Sequence, residues 1–82
     1  MTQKNLLKRI EINSRVMLGK PVIRGTRITV EQILNKLAQN ISVEKIIEDY
    51  PHLKVEDVQA SIAYAAESIS REEMILLSVG NK

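Results

Sequence analysis

Apolar residues recur with helical spacing in three segments of the chain, residues 30–39, 43–49 and 55–69. Positions three or four residues apart lie on one face of an α-helix, so each segment predicts an amphipathic helix. Pro51 prevents the second helix from continuing into the third, which leaves a short turn between them. Three helices with a tight turn between the last two are typical of a helix-turn-helix domain.

Capping residues indicate where these helices begin and end. Thr29 precedes the first segment and Gln32 follows three residues later, which is the spacing of a capping box. Ser42 takes the capping position before the second segment. Asn40 tolerates the left-handed conformation that ends a helix, and we expect Ile41 to fold back as its apolar partner.

The first 28 residues predict a β arm. Short β-branched stretches at residues 10–12 and 22–23 are separated by turn signals at Gly19 and Pro21. Two strands alone are marginal in water, so this ribbon must lie against the helices. The expected fold is therefore mainly α, a homeodomain-like or winged-helix-like three-helix domain with a short N-terminal β arm. We expect one domain over residues 1–82, with an arm at 1–28, a helical core at 29–69 and an apolar tail at 70–82.

Composition excludes several classes of protein. The 82 residues contain no cysteine, which rules out a disulfide framework and thiolate metal sites. Neither a signal peptide nor a run of about 18 apolar residues is present in the sequence, so we expect a cytoplasmic protein without a membrane partner. His52 is the single histidine and no nucleophile–base pair accompanies it. We therefore expect no enzymatic activity, no cofactor, no metal and no small-molecule substrate.

Positive charge is concentrated at the N-terminal end. Residues 1–30 carry seven basic side chains and one acidic one, whereas residues 31–82 carry five basic and nine acidic ones, which together give the net charge of +2. A basic arm is able to bind phosphates whatever the base sequence. The candidate nucleic-acid contacts are Arg15, Lys20, Arg24 and Arg27. For Arg27, an ion pair with an acid such as Asp49 is the favoured alternative.

The third helix is poor in groups that read bases. Its first turn carries Glu56 and Asp57, and no basic residue occurs between Val55 and Ser70. Gln59 and Ser61 alone have side chains suited to base contacts. Small residues on this helix also suggest homodimer packing, with internal packing against the first helix as an equal alternative. The candidate dimer contacts are Ala60, Ala63, Tyr64 and Glu67.

The stretch Gly19–Ile28, with the sequence GKPVIRGTRI, and the later Asp49-Tyr50-Pro51 closely resemble the domain of unknown function 433. The resemblance covers roughly residues 10–68. That family is similar to homeodomain-like and winged-helix-like DNA-binding folds, and its members are regarded as antitoxins encoded beside PIN-like ribonuclease toxins. The resemblance therefore implies a type II antitoxin that binds such a toxin and, as autoregulator, its operator DNA. The alternatives are a stand-alone transcriptional regulator and an adaptor that binds protein only.

The C-terminal tail is the candidate toxin-binding segment, because an exposed apolar run needs a cover. Its apolar residues are Met74, Ile75, Leu76, Leu77 and Val79. Folding back onto the core is the alternative for this segment. A PIN-like toxin is expected to hold a cluster of metal-binding carboxylates, which Arg71 is placed to neutralise. Ser70 and Glu73 either begin a new helix or continue the third one.

Overall fold

The computed structural model describes residues 2–79, and side chains for residues 2–72. Within this range the chain forms four helices and two short strands. In chain order they are α1 (Gln3–Leu7), β1 (Ile10–Glu11), β2 (Val22–Ile23), α2 (Val30–Ala38), α3 (Val43–Asp49) and α4 (Val55–Val79). A 3₁₀ turn at Met17–Gly19 lies between the strands. The architecture is the predicted one, a small helix-turn-helix domain with a β ribbon.

The predicted helix ends are confirmed in α2. The Gln32 N–H donates to Thr29 Oγ1 over 3.0 Å, and the Thr29 N–H donates to Gln32 Oε1 over 2.8 Å, which completes the capping box. At the other end Asn40 adopts φ +66°, and the Ile41 N–H donates to the Lys36 carbonyl over 3.0 Å. This is a Schellman ending, and Ile41 packs against the core as expected.

The two strands form the predicted antiparallel ribbon. Ile10 lies opposite Ile23, and both side chains are buried in the core. After β2 the chain turns at Gly25, whose φ is +81°. The Thr26 hydroxyl donates to the Ile23 carbonyl over 2.7 Å and accepts from the Ile28 N–H over 3.0 Å. Gly25 and Thr26 therefore form a structural turn and hold the ribbon against the start of α2.

Helix α1 is the element that the sequence analysis missed, since the first 28 residues were expected to form only an arm. It has five residues, too few for an apolar period to be visible. Its start carries a local signal, because the Thr2 side chain accepts the Asn5 N–H over 3.2 Å. Leu6 packs against the core, which fixes α1 beside α4.

Helix α4 is a single helix of 25 residues that continues through Ser70 and Glu73, so no new helix begins there. Its N-terminal half packs against the other elements around an aliphatic core. The buried core residues are Ile10, Ile23, Val30, Ile33, Ile46, Leu53, Val58 and Ala60. Among residues 2–79 no helix has the length and apolar character needed to cross a bilayer.

Candidate nucleic-acid interface

An ion pair between distant parts of the chain fixes the basic surface to α4. Arg9 Nη1 lies 3.0 Å from Asp57 Oδ1, and the Asp57 side chain is 9% exposed. The other carboxylate oxygen of Asp57 accepts the Lys54 N–H over 2.9 Å. The Asp57 carboxylate thus caps the first turn of α4 and also holds Arg9, the residue that precedes β1. Because both oxygens are used, the position of Arg9 relative to α4 is well determined.

Arg24 is anchored by the backbone at the same place. Its Nε donates to the Lys8 carbonyl over 2.9 Å, and Nη2 donates to the Ile10 carbonyl over 3.3 Å. These bonds tie the end of β2 to the end of α1 and leave three of the five guanidinium N–H groups for other acceptors. Neither bond neutralises the charge. Arg24 therefore presents a fixed cation at the surface.

These groups line one open pocket of about 440 Å³, bordered by Asn5, Lys8, Arg9, Arg24 and Asp57. Three cations face one carboxylate there, so the pocket is positive overall. Among the described residues, Lys8 and Arg24 form no ion pair. A fixed guanidinium, an exposed ammonium and an amide suit a phosphate group, which accepts several hydrogen bonds at once.

Of the four predicted contact residues, Arg24 is the one that lines this pocket, so the structure does not bring the four together there. Lys20 precedes β2, and its Nζ lies 3.3 Å from Oε1 of Glu31 in the first turn of α2. Arg15 is exposed in the loop between the strands, and Arg27 is exposed in the turn before α2. The ion pair predicted between Arg27 and Asp49 does not form in the described part of the chain, where Asp49 pairs with Lys45 at 3.4 Å.

The sequence pattern did not single out Lys8 and Arg9, two cations of the pocket, because it did not predict α1. The signal was present in the sequence: Thr2 stands at a capping position, and Lys4 and Lys8 are four residues apart. Positions four apart lie on one face of a helix, so a helix here brings two lysines together. The contact of Arg9 with Asp57 spans 48 residues and had no local signal.

Comparison with known proteins places the chain in a family. A family model described as a protein of unknown function, DUF433, matches residues 10–65, more than half of the chain. The chain belongs to the DUF433 family. The uncharacterized protein y4eO of Sinorhizobium fredii (strain NBRC 101917 / NGR234) is 36% identical over 50 residues, which are 61% of this chain and 23% of that protein. This chain thus corresponds to less than a quarter of that relative. No solved structure gives a significant match.

The face of α4 available for base reading is smaller in this DUF433 chain than its sequence predicts. Gln59 is exposed, as that role requires. Ser61 is completely buried, and its hydroxyl donates to the Asp57 carbonyl over 3.1 Å. The prediction that Ser61 is free to read a base is therefore wrong. Glu56, half-buried, and Asp57 occupy the first turn, so the first turn of α4 itself supplies no cation for a phosphate or a base.

The predicted dimer face is also wrong in part. Ala60 is fully buried and Ala63 is 9% exposed, because both pack into the DUF433 core rather than facing outward. Their small side chains serve the internal packing that was the equal alternative. Tyr64 is half-buried, and Glu67 pairs with Arg71 at 3.1 Å. The outward face of α4 is formed by other residues.

The body of the domain stops covering α4 near Ile69, which is 54% exposed. Ser70, Arg71 and Glu72 are all exposed as well. Successive helical residues point about 100° apart, so three consecutive exposed residues show that no described element packs on this turn. The candidate toxin contacts Met74, Ile75, Leu76, Leu77 and Val79 follow on the same helix, and their side chains lie outside the described ones.

A shallow apolar groove of about 330 Å³ lies between α2 and α4, bordered among others by Leu34, Tyr64 and Ile69. Groups of three or more potential metal ligands are absent from the part of the chain that the structure describes. The DUF433 surface therefore offers charge at one end and apolar area along α4.

Proposed function

We propose that the chain is a type II antitoxin that binds operator DNA through the pocket formed by α1, β1 and β2, and binds a PIN-like ribonuclease toxin through the end of α4. The observation that carries the proposal is the positive pocket, where Lys8 and Arg24 remain without an acidic partner among the described residues. Membership of the DUF433 family is compatible with this role.

DNA binding through this pocket is a phosphate-contact mode. The surface offers cations and an amide but no helix start rich in base-reading groups, so affinity comes from the backbone and depends strongly on salt. We propose that α1 and the β ribbon bind the sugar-phosphate backbone and that sequence preference is modest.

The test for DNA binding is fluorescence anisotropy with a duplex from the region upstream of the gene, at several salt concentrations. Removing one phosphate contact lowers the slope of log K against log salt by about 0.9. We expect Lys8→Gln to show that loss, and the matched control Lys45→Gln, on α3 and paired with Glu48 and Asp49, to leave the slope unchanged. Equal slopes for wild type and Lys8→Gln would contradict this site.

Toxin binding rests on the end of α4, which leaves the body near Ile69. Arg71 is 74% exposed, and its partner among the side chains described is Glu67; an exposed pair of this kind is worth less than about 1 kcal/mol. A carboxylate cluster on a toxin therefore replaces Glu67 at small cost. Arg71 then neutralises the negative site while the apolar residues beyond it bind the toxin surface.

Co-expression with the product of the neighbouring gene tests this half of the proposal. The full chain is expected to restore growth, and Arg71→Ala and Leu76→Glu are expected to protect less. Ile12→Glu is the control, because Ile12 is 61% exposed and belongs to the arm rather than to α4. If the neighbouring product is harmless and does not co-purify with the chain, the antitoxin role fails and a stand-alone regulator remains.

A further inference from the structure

The face of α4 that points away from the body is apolar. Val55, Ile62 and Ile69 are 48%, 48% and 54% exposed, and Gln59 and Ala66 between them are exposed too. We call these five residues the outer stripe. The outward face of a helix in an isolated domain normally carries charges, but no charged residue occurs from position 58 to 66. A helix that is uncharged all round is typical of one that is covered on both sides.

The spacing of the outer stripe is that of a seam between two helices. Val55, Ile62 and Ile69 follow one another at seven-residue intervals, and so do Gln59 and Ala66. The resulting alternation of four and three residues is the a/d pattern of coiled coils, which keeps one stripe facing a partner helix. The body side of α4 is a different face, where Asp57 and Ser61 are buried.

We propose that the outer stripe is a homodimer interface, in which α4 of one chain packs along α4 of a second copy. A second copy supplies a helix with the same length and the same seven-residue repeat. The outer stripe is uncharged, so two identical stripes meet without like-charge repulsion. Gln59 is its one polar member, and a side-chain amide both donates and accepts, so it is able to pair with its own copy.

This interface differs from the predicted one at Ala60 and Ala63, and it does not depend on the proposed function. The outer stripe spans the 15 residues from Val55 to Ile69, which gives a length of about 22 Å of helix. A contact strip roughly 10 Å wide along it covers on the order of 220 Å² of each copy, below the roughly 800 Å² of a standard interface. We therefore expect a reversible dimer with a dissociation constant in the micromolar range.

Sedimentation equilibrium of the full chain, from about 5 to about 500 µM, tests the proposal. Wild type is expected to pass from monomer to dimer across this range. Ile62→Glu and Ile69→Glu place a carboxylate in the seam and are expected to weaken association by a factor of about 100. Ile12→Glu introduces the same change at an isoleucine that is 61% exposed on the arm, and is expected to dimerise like wild type.

A third variant tests the outer stripe with little risk of unfolding the domain. Ala66→Glu removes no apolar contact from the body, because Ala66 is exposed, and glutamate is a good helix former. It is expected to be helical by circular dichroism and monomeric. Wild type that stays monomeric throughout the range would overturn the proposal. Folded stripe variants that dimerise as tightly as Ile12→Glu would overturn it too, since another surface would then make the dimer.

Discussion

Replacing Asp57 by alanine is expected to be the most informative single change in this domain. The side chain is nearly buried and serves two partners at once, Arg9 at 3.0 Å and the Lys54 N–H at 2.9 Å. Asp57→Ala removes the cap of α4 and leaves the Arg9 guanidinium without its acid. The connection between the segment that precedes β1 and the first turn of α4 is lost with it.

The magnitude follows from the two bonds. Loss of a capping interaction costs typically about 1 kcal/mol. A charge-assisted hydrogen bond contributes about 1.5–3 kcal/mol, and the lower end applies because the Arg9 side chain is 29% exposed. We therefore expect Asp57→Ala to lower the free energy of unfolding by about 2–3 kcal/mol. For a domain of this size, with roughly 4–12 kcal/mol in total, that is a large fraction.

Urea denaturation measures the effect, and it is done at one fixed protein concentration because the proposed dimerisation would make stability depend on concentration. A double-mutant cycle with Arg9→Ala isolates the pair, for which we expect a coupling of more than about 1 kcal/mol. Asp57→Asn keeps the shape and is expected to cost less. The control is Glu31→Ala, which breaks the ion pair between Lys20 and Glu31. Their side chains are 57% and 65% exposed, so this change is expected to lower the free energy of unfolding by less than about 0.5 kcal/mol. Equal losses for Asp57→Ala and Glu31→Ala, or a coupling near zero, would refute the reasoning.

Two further stability predictions concern left-handed backbone positions, and urea denaturation measures both. Asn40→Gly is expected to stabilise the fold by about 0.5–1 kcal/mol, because glycine adopts the observed φ of +66° without strain. The control is Asn35→Gly inside α2, which should destabilise the fold. A loss of stability in both variants would contradict the role of Asn40 as a helix end. Gly25→Ala is expected to lower the free energy of unfolding by about 1–2 kcal/mol. The cause is backbone strain alone, since φ is +81° and a Cβ would meet nothing within 4 Å. Gly25→Asn should cost less, because asparagine tolerates the left-handed region, and equal losses of stability for the two variants would contradict backbone strain as the cause.

Local signals in the sequence were sufficient for most of the fold. Thr29 and Asn40 mark the ends of α2 through bonds to residues three to five positions away, so the spacing in the sequence determines the geometry. Helix α1 was missed because five residues are too few to show a period. The orientation of α4 was harder still: its small and apolar residues surround the helix, so the sequence did not show that Ala60 faces inward and Ile62 outward.

The candidate site was only partly predictable, because its geometry depends on long-range contacts. Net charge pointed to the N-terminal third, where most lining residues of the positive pocket lie, but the pairing of Arg9 with Asp57 joins residues 48 positions apart. Arg24 was named as a phosphate contact from its charge alone. Its two bonds to backbone carbonyls, which fix its position, need the fold to be known.

The DNA-binding pocket and the dimer interface that we propose lie on different faces of α4. Asp57, 6% exposed, lies on the body side and holds Arg9 of the pocket, whereas Ile62, 48% exposed, lies on the outer stripe. A copy that packs on the outer stripe therefore does not compete with DNA for Arg9 or Arg24. Because the body holds each pocket rigidly to its own α4 through Arg9, a dimer of α4 helices presents two positive pockets at a fixed separation. If both proposals hold, we expect phosphate contacts that are weak singly to act together on one duplex, which raises the affinity for DNA without adding any base readout.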